Sequence, residues 1–251
     1  MSTDSEWEEW GRKDPYYGVI TCRQFRRAEL TKAAKEEFFE SGRVHVDYLL
    51  QIIRQYIDHT FEPQSVLDFG CGVGRLIVPF AKIAKEVVGL DVSSSMLAEA
   101  RKNCHEFGVR NAQLLLSDDN ISALRSKTYD LIHSFIVFQH IPPERGRDIF
   151  RNLLDHLSAG GIAAVHFTYS KTQYASTHGV APPVSRLSSG ATSTRDAVSA
   201  PDTDPEMQMN PYPLNELFFL MQNAGVHRFH VEFTDHGGEL GIFLYFQKPR
   251  V

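Results

Sequence analysis

Asp68-Phe69-Gly70-Cys71-Gly72-Val73-Gly74-Arg75 is the stretch of this sequence that decides the fold. It continues the short apolar run 65–67, which is typical of a buried parallel strand. Glycines at alternate positions after a strand predict a tight turn whose backbone approaches a ligand closely. The dinucleotide pattern needs a third glycine where Arg75 stands, because a pyrophosphate must reach the helix N-terminus there. The loop therefore predicts a ligand without a pyrophosphate.

A second strand-and-turn unit follows at residues 87–91, Val-Val-Gly-Leu-Asp. Its last residue, Asp91, comes about twenty residues after the glycine loop, where a carboxylate can accept hydrogen bonds from both ribose hydroxyls. The two units together predict an adenosine-type ligand at the carboxyl ends of adjacent strands.

Strands and helices alternate through the rest of the chain. We predict two helices before the first strand, over 23–39 and 44–58, and later helices over 74–83, 93–107, 143–157 and 213–224. The remaining strands are predicted within 114–116, 129–138, 161–169, 226–233 and 242–247. This order predicts an α/β, Rossmann-like, mostly parallel seven-stranded sheet with an antiparallel C-terminal strand and helices on both faces.

The chain is expected to form one domain over 1–251, which is 251 residues long. We divide it into an N-terminal helical cap (1–60), a cofactor-binding core (61–169), a flexible insertion or lid (170–210) and a C-terminal helix with strands (211–251). The segment 170–210 is rich in Ser, Thr, Ala and Pro and too long for an ordinary connection. We expect it to order on ligand binding together with the N-terminal helices, although a linker without that role fits the same composition.

Composition and charge narrow the function classes. A formal net charge of −5 gives no overall field that gathers a polyanion, so nucleic acid is disfavoured as a partner. The 3 cysteines have no metal-ligand spacing and no even count for a disulfide framework. We expect no membrane segment, a cytoplasmic location, and a monomer or homodimer.

The motifs resemble the class I S-adenosylmethionine-dependent methyltransferases. Beside the Asp-x-Gly-x-Gly-x-Gly loop, residues 88–97 resemble the second motif of that family, Ser117-Asp118 its acidic site after the third strand, and residues 129–132 the start of its fourth motif. Residues 157–161 fit the turn into strand five. The resemblance covers about 65–168 in the family's order, and it implies a methyltransferase acting on a small-molecule acceptor, with S-adenosylmethionine as cofactor and S-adenosylhomocysteine as product.

The resemblance also implies roles for individual residues. Backbone of the loop would contact the methionine part of the cofactor, Asp91 its ribose and Asp118 the adenine amino group, while a main-chain carbonyl of Phe135 or Ile136 would face the ammonium. The full set of predicted cofactor-binding residues is Asp68, Gly70, Cys71, Gly72, Gly74, Asp91, Val92, Met96, Asp118, Asp119 and Phe135. Single aspartates after strands also serve as caps and turn formers, Met96 also fits a core position, and Cys71 fits a small residue tolerated in the loop.

Acceptor-side residues are harder to identify. His140 follows strand four and is the candidate catalytic base, with a structural role in the turn before Pro142 as the alternative. Tyr16, Tyr17, His140 and His166 are the candidate acceptor-binding residues; the tyrosine pair fits a cover over the cofactor or packing on a helix equally well. His227 and His230 fall in a predicted strand, where their side chains face opposite sides and do not converge on a metal. The magnesium-dependent catechol enzymes that resemble this chain need carboxylates after strands four and five, which this sequence lacks, so we expect no metal.

Three alternatives remain open from the sequence. A nicotinamide-dependent oxidoreductase would also use Asp91, but Arg75 opposes it. A non-catalytic module that binds S-adenosylmethionine would carry the same cofactor motif. A methyltransferase acting on protein or nucleic acid would differ in the surface beside the pocket.

Overall fold

A computed structural model describes residues 3–172, 185–187 and 204–250. The helices are α1 (Thr3–Lys13), α2 (Pro15–Val19), α3 (Lys32–Tyr56), α4 (Ile77–Ile83), α5 (Ser94–Glu106), α6 (Pro143–Asp155) and α7 (Leu214–Asn223). The strands are β1 (Ser65–Phe69), β2 (Glu86–Asp91), β3 (Ala112–Leu116), β4 (Tyr129–Ser134), β5 (Leu157–Lys171), β6 (Ser185–Leu187), β7 (Met207–Met209), β8 (Phe229–Asp235) and β9 (Glu239–Gln247). Short 3₁₀ turns cover Arg23–Phe25, Ser122–Leu124 and Phe138–His140.

Seven strands form the main sheet, in the order β3-β2-β1-β4-β5-β9-β8. The strands β1 to β5 pair in parallel, whereas β9 runs antiparallel to both β5 and β8. The predicted mostly parallel sheet with an antiparallel C-terminal strand is therefore confirmed. The strand order reverses between β1 and β4, and this is where α/β sheets bind ligands beyond the carboxyl ends of their strands.

Apolar side chains fill both faces of the sheet. On one face α6 and α7 cover a cluster that includes Phe138, Phe150 and Phe167. On the other face α3 and α4 cover a cluster around Leu49 and Phe80. Aromatic side chains of α1 to α3 form a third cluster, which connects the N-terminal helices to α5. The turns at the carboxyl ends of the parallel strands are thus held between three packed regions.

The prediction of two helices before β1 is wrong. The single helix α3 runs through both predicted segments, with Gly42 in its interior. A Cβ at Gly42 would lie 2.4 Å from the carbonyl oxygen of Arg75, so this glycine permits close packing against the glycine loop instead of ending a helix. The helices α1 and α2 were not predicted, because α1 carries many charges and no apolar run, and α2 is only 5 residues long.

The predicted insertion falls mainly outside the described residues, at 173–184 and 188–203. Its described parts include β6, which pairs antiparallel with β7 in a separate two-stranded sheet. Among the described residues, no helix is long and apolar enough to cross a membrane.

Candidate cofactor and active site

A cavity lies at the carboxyl ends of β1, β2, β3 and β4, under α1. Its volume, counted together with the space that opens to solvent, is about 830 Å³. The strand ends and the turns after them contribute Phe69, Gly70, Gly72, Asp91, Val92, Met96, Ser117, Asp118, Asp119, Phe135, Ile136, Val137 and His140. The helices and their connections contribute Thr3, Asp4, Trp7, Gly18, Val19, Ile141, Arg145 and Ile149.

The glycine loop forms one wall of this cavity with its backbone. Gly70 and Gly72 have φ of +75° and +52°, in the left-handed region that favours glycine. A Cβ at Gly70 would lie 2.3 Å from Val137, and one at Gly72 would lie 2.7 Å from Val19. Side chains are thus excluded by both conformation and space, and the loop presents main-chain groups to whatever occupies the cavity.

Asp91 is the last residue of β2, and its carboxylate contacts the glycine loop that forms this wall. One carboxylate oxygen accepts a hydrogen bond from the Gly72 amide at 2.8 Å, and the other accepts one from the Ser93 amide at 2.9 Å. Burial raises the pKa of Asp91 to about 6, against the opposing effect of these two amides. A carboxylate has about four lone-pair directions, so two further donors can bind to Asp91 while the amides hold it in place.

Asp118 and Asp119 lie after β3, at the exposed rim. The Ser122 amide donates to Asp118 at 2.9 Å, and this bond lowers the pKa of the carboxyl. Asp119 pairs with Arg145, whose guanidinium also binds Asp4 at 2.7 Å. Arg145 therefore links the turn after β3 to the first turn of α1.

A second contact fastens α1 over the cavity. Glu8 accepts hydrogen bonds from the Ser95 hydroxyl at 2.6 Å, the Ser95 amide at 3.1 Å and the Ser93 hydroxyl at 2.8 Å. Burial alone would raise the pKa of Glu8, but these bonds, with Arg12 nearby, lower it to about 2. A carboxylate at the N-terminus of α5 is also favoured by the helix dipole. Helix α1, which lies over the cavity, is thus attached to Ser93 and Ser95, a few residues after Asp91.

The turn after β4 forms the apolar end of the cavity. Ile136 has a φ of +56°, which is unusual for a β-branched residue. The ring of His140 lies 4.8 Å from that of Trp7, and its Nδ1 lies 2.8 Å from the carbonyl oxygen of Gln208. Burial lowers the pKa of His140 to about 4, against the opposing effect of that carbonyl. Since a carbonyl only accepts hydrogen bonds, Nδ1 carries the proton and Nε2 holds a lone pair.

The structure places several predicted site residues away from the cavity lining. Asp68 is buried behind the loop and lies 2.8 Å from His133 Nδ1. Cys71 is buried against the α3 and α4 side of the sheet, and burial raises the pKa of its thiol. Gly74 faces Ala100 of α5. These three residues support the loop from behind.

The four acceptor-side candidates also include residues that lie away from the cavity lining. Tyr16 is buried and donates hydrogen bonds to Glu99 and Asn103, at 3.0 and 2.8 Å, and Tyr17 packs its ring under the Arg26 guanidinium. His166 is buried on β5, and its Nε2 lies 2.8 Å from the Thr234 hydroxyl. Of the four candidates, only His140 lines the cavity.

The contribution of α1 and of Arg145 to the cavity was not predicted from the sequence. The residues of α1 that line the cavity are Thr3, Asp4 and Trp7. The spacing of Trp7 and Trp10, three positions apart, was the available signal for α1. Nothing in the sequence paired Arg145 with two acidic residues from distant turns.

This arrangement is typical of Rossmann-like domains that bind an adenosine-type ligand: a side-chain-free loop follows β1, a carboxylate follows β2 and a polar turn follows β3. No cluster of metal-ligating side chains occurs in the part of the chain that the structure describes.

Comparisons with known proteins agree with this class. Residues 66–161 match the family model of the methyltransferase domain. The chain is 28% identical over 137 residues to aklanonic acid methyltransferase of Streptomyces sp. (strain C5), a match covering 52% of this chain and 62% of that protein. It is 24% identical over 157 residues to the ubiquinone biosynthesis O-methyltransferase of Rickettsia canadensis (strain McKiel), covering 62% and 56%.

A solved structure extends the likeness to the whole chain. Magnesium protoporphyrin IX methyltransferase from Synechocystis PCC 6803, crystallised with bound S-adenosylhomocysteine, superposes with a TM-score of 0.62 at 16% identity, covering 96% of this chain and 97% of that one. The comparisons thus assign residues 66–161 to the methyltransferase-domain family, and the chain shares its fold with this solved methyltransferase structure. Its matches span about three fifths of the length of the two curated relatives.

Proposed function

We propose that the protein transfers a methyl group from S-adenosylmethionine to a small-molecule acceptor. The observation that carries this proposal is Asp91, held by the Gly72 and Ser93 amides at one end of a cavity whose other end is apolar. A nucleoside with a charged amino-acid tail matches a cavity with that polarity.

The residues present fit this cofactor. Asp91 has lone pairs available for the ribose hydroxyls. Asp118 lines the cavity at the next strand end, and its carboxylate can accept a hydrogen bond from the adenine amino group. The backbone of Gly70 and Gly72, which a Cβ would obstruct, suits the methionine part, and the turn at Phe135 and Ile136 suits its ammonium. Val92 and Met96 line the adenosine side.

The cofactor supplies an activated methyl group, so the protein must orient the acceptor and exclude water. Trp7 and the turn after β4 enclose the apolar end, and α1 covers it. His140 Nε2 holds a lone pair at this end and can accept a proton from a hydroxyl or amine nucleophile. Burial lowers the pKa of His140 to about 4, so the ring is neutral near pH 7 but is a weaker base than an ordinary histidine. Its Nε2 also lies 3.4 Å from Gln139 Nε2.

The charges in the cavity favour an acceptor of low charge. Its described lining contains four aspartates and one cation, Arg145, whose guanidinium is bound to Asp4 and Asp119. An anionic acceptor would find no further cation in this lining. A largely apolar small molecule with one nucleophilic group fits best, in keeping with the small-molecule acceptors in the names of the relatives.

Calorimetric titration with S-adenosylmethionine, S-adenosylhomocysteine and NAD(H) tests the proposal. We expect the first two to bind and NAD(H) not to bind. Asp91→Ala should abolish that binding, whereas Asp155→Ala, which removes an exposed aspartate at the end of α6, should retain it. Binding of NAD(H) alone, or of none of them, would overturn the proposal.

Turnover separates an enzyme from a binding module. Incubation with S-adenosylmethionine and a panel of neutral phenols and amines should release S-adenosylhomocysteine with at least one acceptor. Tight binding without release across the panel would favour a non-catalytic role.

A further inference from the structure

A chain of three polar side chains, two of them buried and the third partly buried, lies behind the cavity, and the cofactor contacts proposed above do not use it. Asp68 Oδ1 lies 2.8 Å from His133 Nδ1, and His133 Nε2 lies 3.0 Å from His45 Nε2. The side chains come from β1, β4 and α3. Asp68 and His133 are 2% and 0% exposed, so the contact between them forms without competition from water, whereas the contact with His45 is partly buried.

The geometry makes this a directional hydrogen-bond chain. A contact between two ring nitrogens needs a proton on one and a lone pair on the other. Either His45 donates to His133, which donates to an ionised Asp68, or a protonated Asp68 donates to His133, which donates to His45. The two arrangements differ by one proton, and each fixes the tautomers of both rings.

The charged and titratable groups around His133 are few. Asp68 faces it from β1, His45 from α3 and Arg75 from the end of the glycine loop. Burial lowers the pKa of His133 to about 3, and Arg75 acts in the same direction. Burial also raises the pKa of Asp68 to about 8, while Arg75 opposes that shift. Burial also lowers the pKa of His45 well below its usual value. Both rings are therefore neutral near pH 7, and the gain or loss of the one proton by which the two arrangements differ affects all three side chains together.

Each member of the chain is tied to a residue that lines the cavity. Asp68 precedes Phe69 and Gly70, and it pairs in register with His133 across β1 and β4. The residue after His133, Ser134, donates a hydrogen bond to the Phe69 carbonyl at 3.0 Å. The His45 ring packs against Phe135, with centroids 4.4 Å apart. The chain thus connects the glycine loop with the turn after β4.

We propose that His133 is a positioning residue of the cofactor site, which holds Asp68 and His45 so that the glycine loop and Phe135 keep the spacing that cofactor binding needs. The inference rests on the proposed function, and it assigns the first acidic residue of the glycine motif an indirect role in this protein. Gly70 and Val137 already touch across this gap, since a Cβ on Gly70 would lie 2.3 Å from Val137. A small shift of either strand end would therefore change the cavity.

Binding of S-adenosylhomocysteine to three variants tests the proposal. His133→Phe keeps the bulk of the ring and removes both hydrogen bonds. It should weaken binding about tenfold, which corresponds to the net contribution of about one hydrogen bond. His133→Asn, whose amide can still donate to Asp68, should bind within about threefold of wild type. The control, Tyr245→Phe, removes a buried hydrogen bond to Glu232 on the same sheet face and should leave the affinity unchanged.

Thermal unfolding shows which variants are folded. A folded His133→Phe with wild-type affinity would overturn the proposal, as would an equal loss in Tyr245→Phe. If His133→Phe does not fold, His45→Phe breaks the far end of the chain, and unchanged affinity in that variant would overturn the proposal as well.

Ring-nitrogen NMR of ¹⁵N-histidine-labelled protein gives a second readout that a merely structural role would not move. Without ligand, His133 should show one protonated and one unprotonated nitrogen, and Asp68→Asn should shift both His133 and His45. Adding S-adenosylhomocysteine should shift the same resonances. Failure of the wild type to bind this ligand would refute the proposed function and leave the ligand-free spectra to test the chain, whereas binding without any shift at His133 would refute the chain's role.

Discussion

The two ends of the cavity are built in different ways. The end around Asp91 and Asp118, where we propose that adenosine binds, is called the adenosine end. It consists of βα turns, in which these two residues lie directly after their strands and backbone amides hold the carboxylates. The opposite end combines a helix from the N-terminus with the turn after β4, and its surfaces are the side chains of Trp7, Phe135 and His140. The first end is fixed by local sequence and suits a constant ligand, whereas the second depends on long-range packing and can change with the acceptor.

Gly70→Ala should have the largest effect, because Gly70 joins the two ends. A left-handed φ costs a non-glycine residue about 1–2 kcal/mol, and the added Cβ would also displace Val137. We expect a lower free energy of unfolding and a loss of affinity for S-adenosylhomocysteine of about 100-fold or more, measured by chemical denaturation and calorimetry.

The double variant Gly70→Ala/Val137→Ala separates the two causes. Removing the Val137 side chain relieves the contact but leaves the φ strain, so stability should recover only in part. Wild-type affinity in Gly70→Ala would mean that the glycine loop does not contact the cofactor.

Acidic pH should weaken binding through Asp91. Burial raises the pKa of Asp91 to about 6, and the ribose hydroxyls need its ionised form as acceptor. Affinity for S-adenosylhomocysteine should therefore be complete above pH 7 and fall about tenfold by pH 5. Asp118 stays ionised over this window, since the Ser122 amide lowers its pKa. Asp91→Asn should bind weakly with no change between pH 7 and pH 5; the same pH slope in that variant would assign the titration to another group.

The contrast between the two ends also explains what the sequence could predict. Five strand ends and their turns could be placed because apolar runs, alternate glycines and acidic residues lie within a few positions of each other. Asp91 and Asp118 were placed at the cavity on that basis. Their binding roles, like those of the other predicted site residues, stay predictions.

The remaining features depend on contacts between distant segments. Gly42 resembles a helix break in sequence, but its lack of a side chain lets α3 approach Arg75. Tyr16 and Tyr17 look exposed near a chain end, yet α3 and α5 bury Tyr16 completely enough to use its hydroxyl in two hydrogen bonds. No local pattern predicts that α1 lies over the cavity, because its attachment uses Glu8 on one side and serines some 85 positions later on the other.

Glu8→Gln should loosen the cover while leaving the adenosine end intact. The variant keeps the shape of the side chain but loses the charge at the N-terminus of α5, an effect of about 1 kcal/mol. We expect affinity for S-adenosylhomocysteine to fall about fivefold. The only 2 tryptophans of the chain, Trp7 and Trp10, both lie in α1, so their fluorescence should become easier to quench with iodide.

Glu9→Gln is the matched control for this test. Glu9 is exposed on the same helix, and its only ion pair among the described contacts is with Arg12 at 4.0 Å. It should change neither quenching nor affinity. Equal effects of the two substitutions would show that net charge, and not the contact with Ser93 and Ser95, holds α1 in place.

Arg145→Gln should have the smallest effect, and its salt dependence makes it informative. The guanidinium joins Asp4 of α1 to Asp119 of the adenosine end, with part of its surface in water, so the pairs contribute about 0.2–1 kcal/mol. We expect affinity to fall about twofold at low salt and the difference from wild type to vanish near 1 M salt, where exposed charges are screened within about 3 Å. Arg151→Gln, which loses only the neighbouring Asp148, should change nothing at either salt concentration. The Glu8 contacts are hydrogen bonds to hydroxyls and an amide and should resist salt, so a salt-independent loss in Arg145→Gln would mean that Arg145 contacts the ligand itself and belongs to the adenosine end.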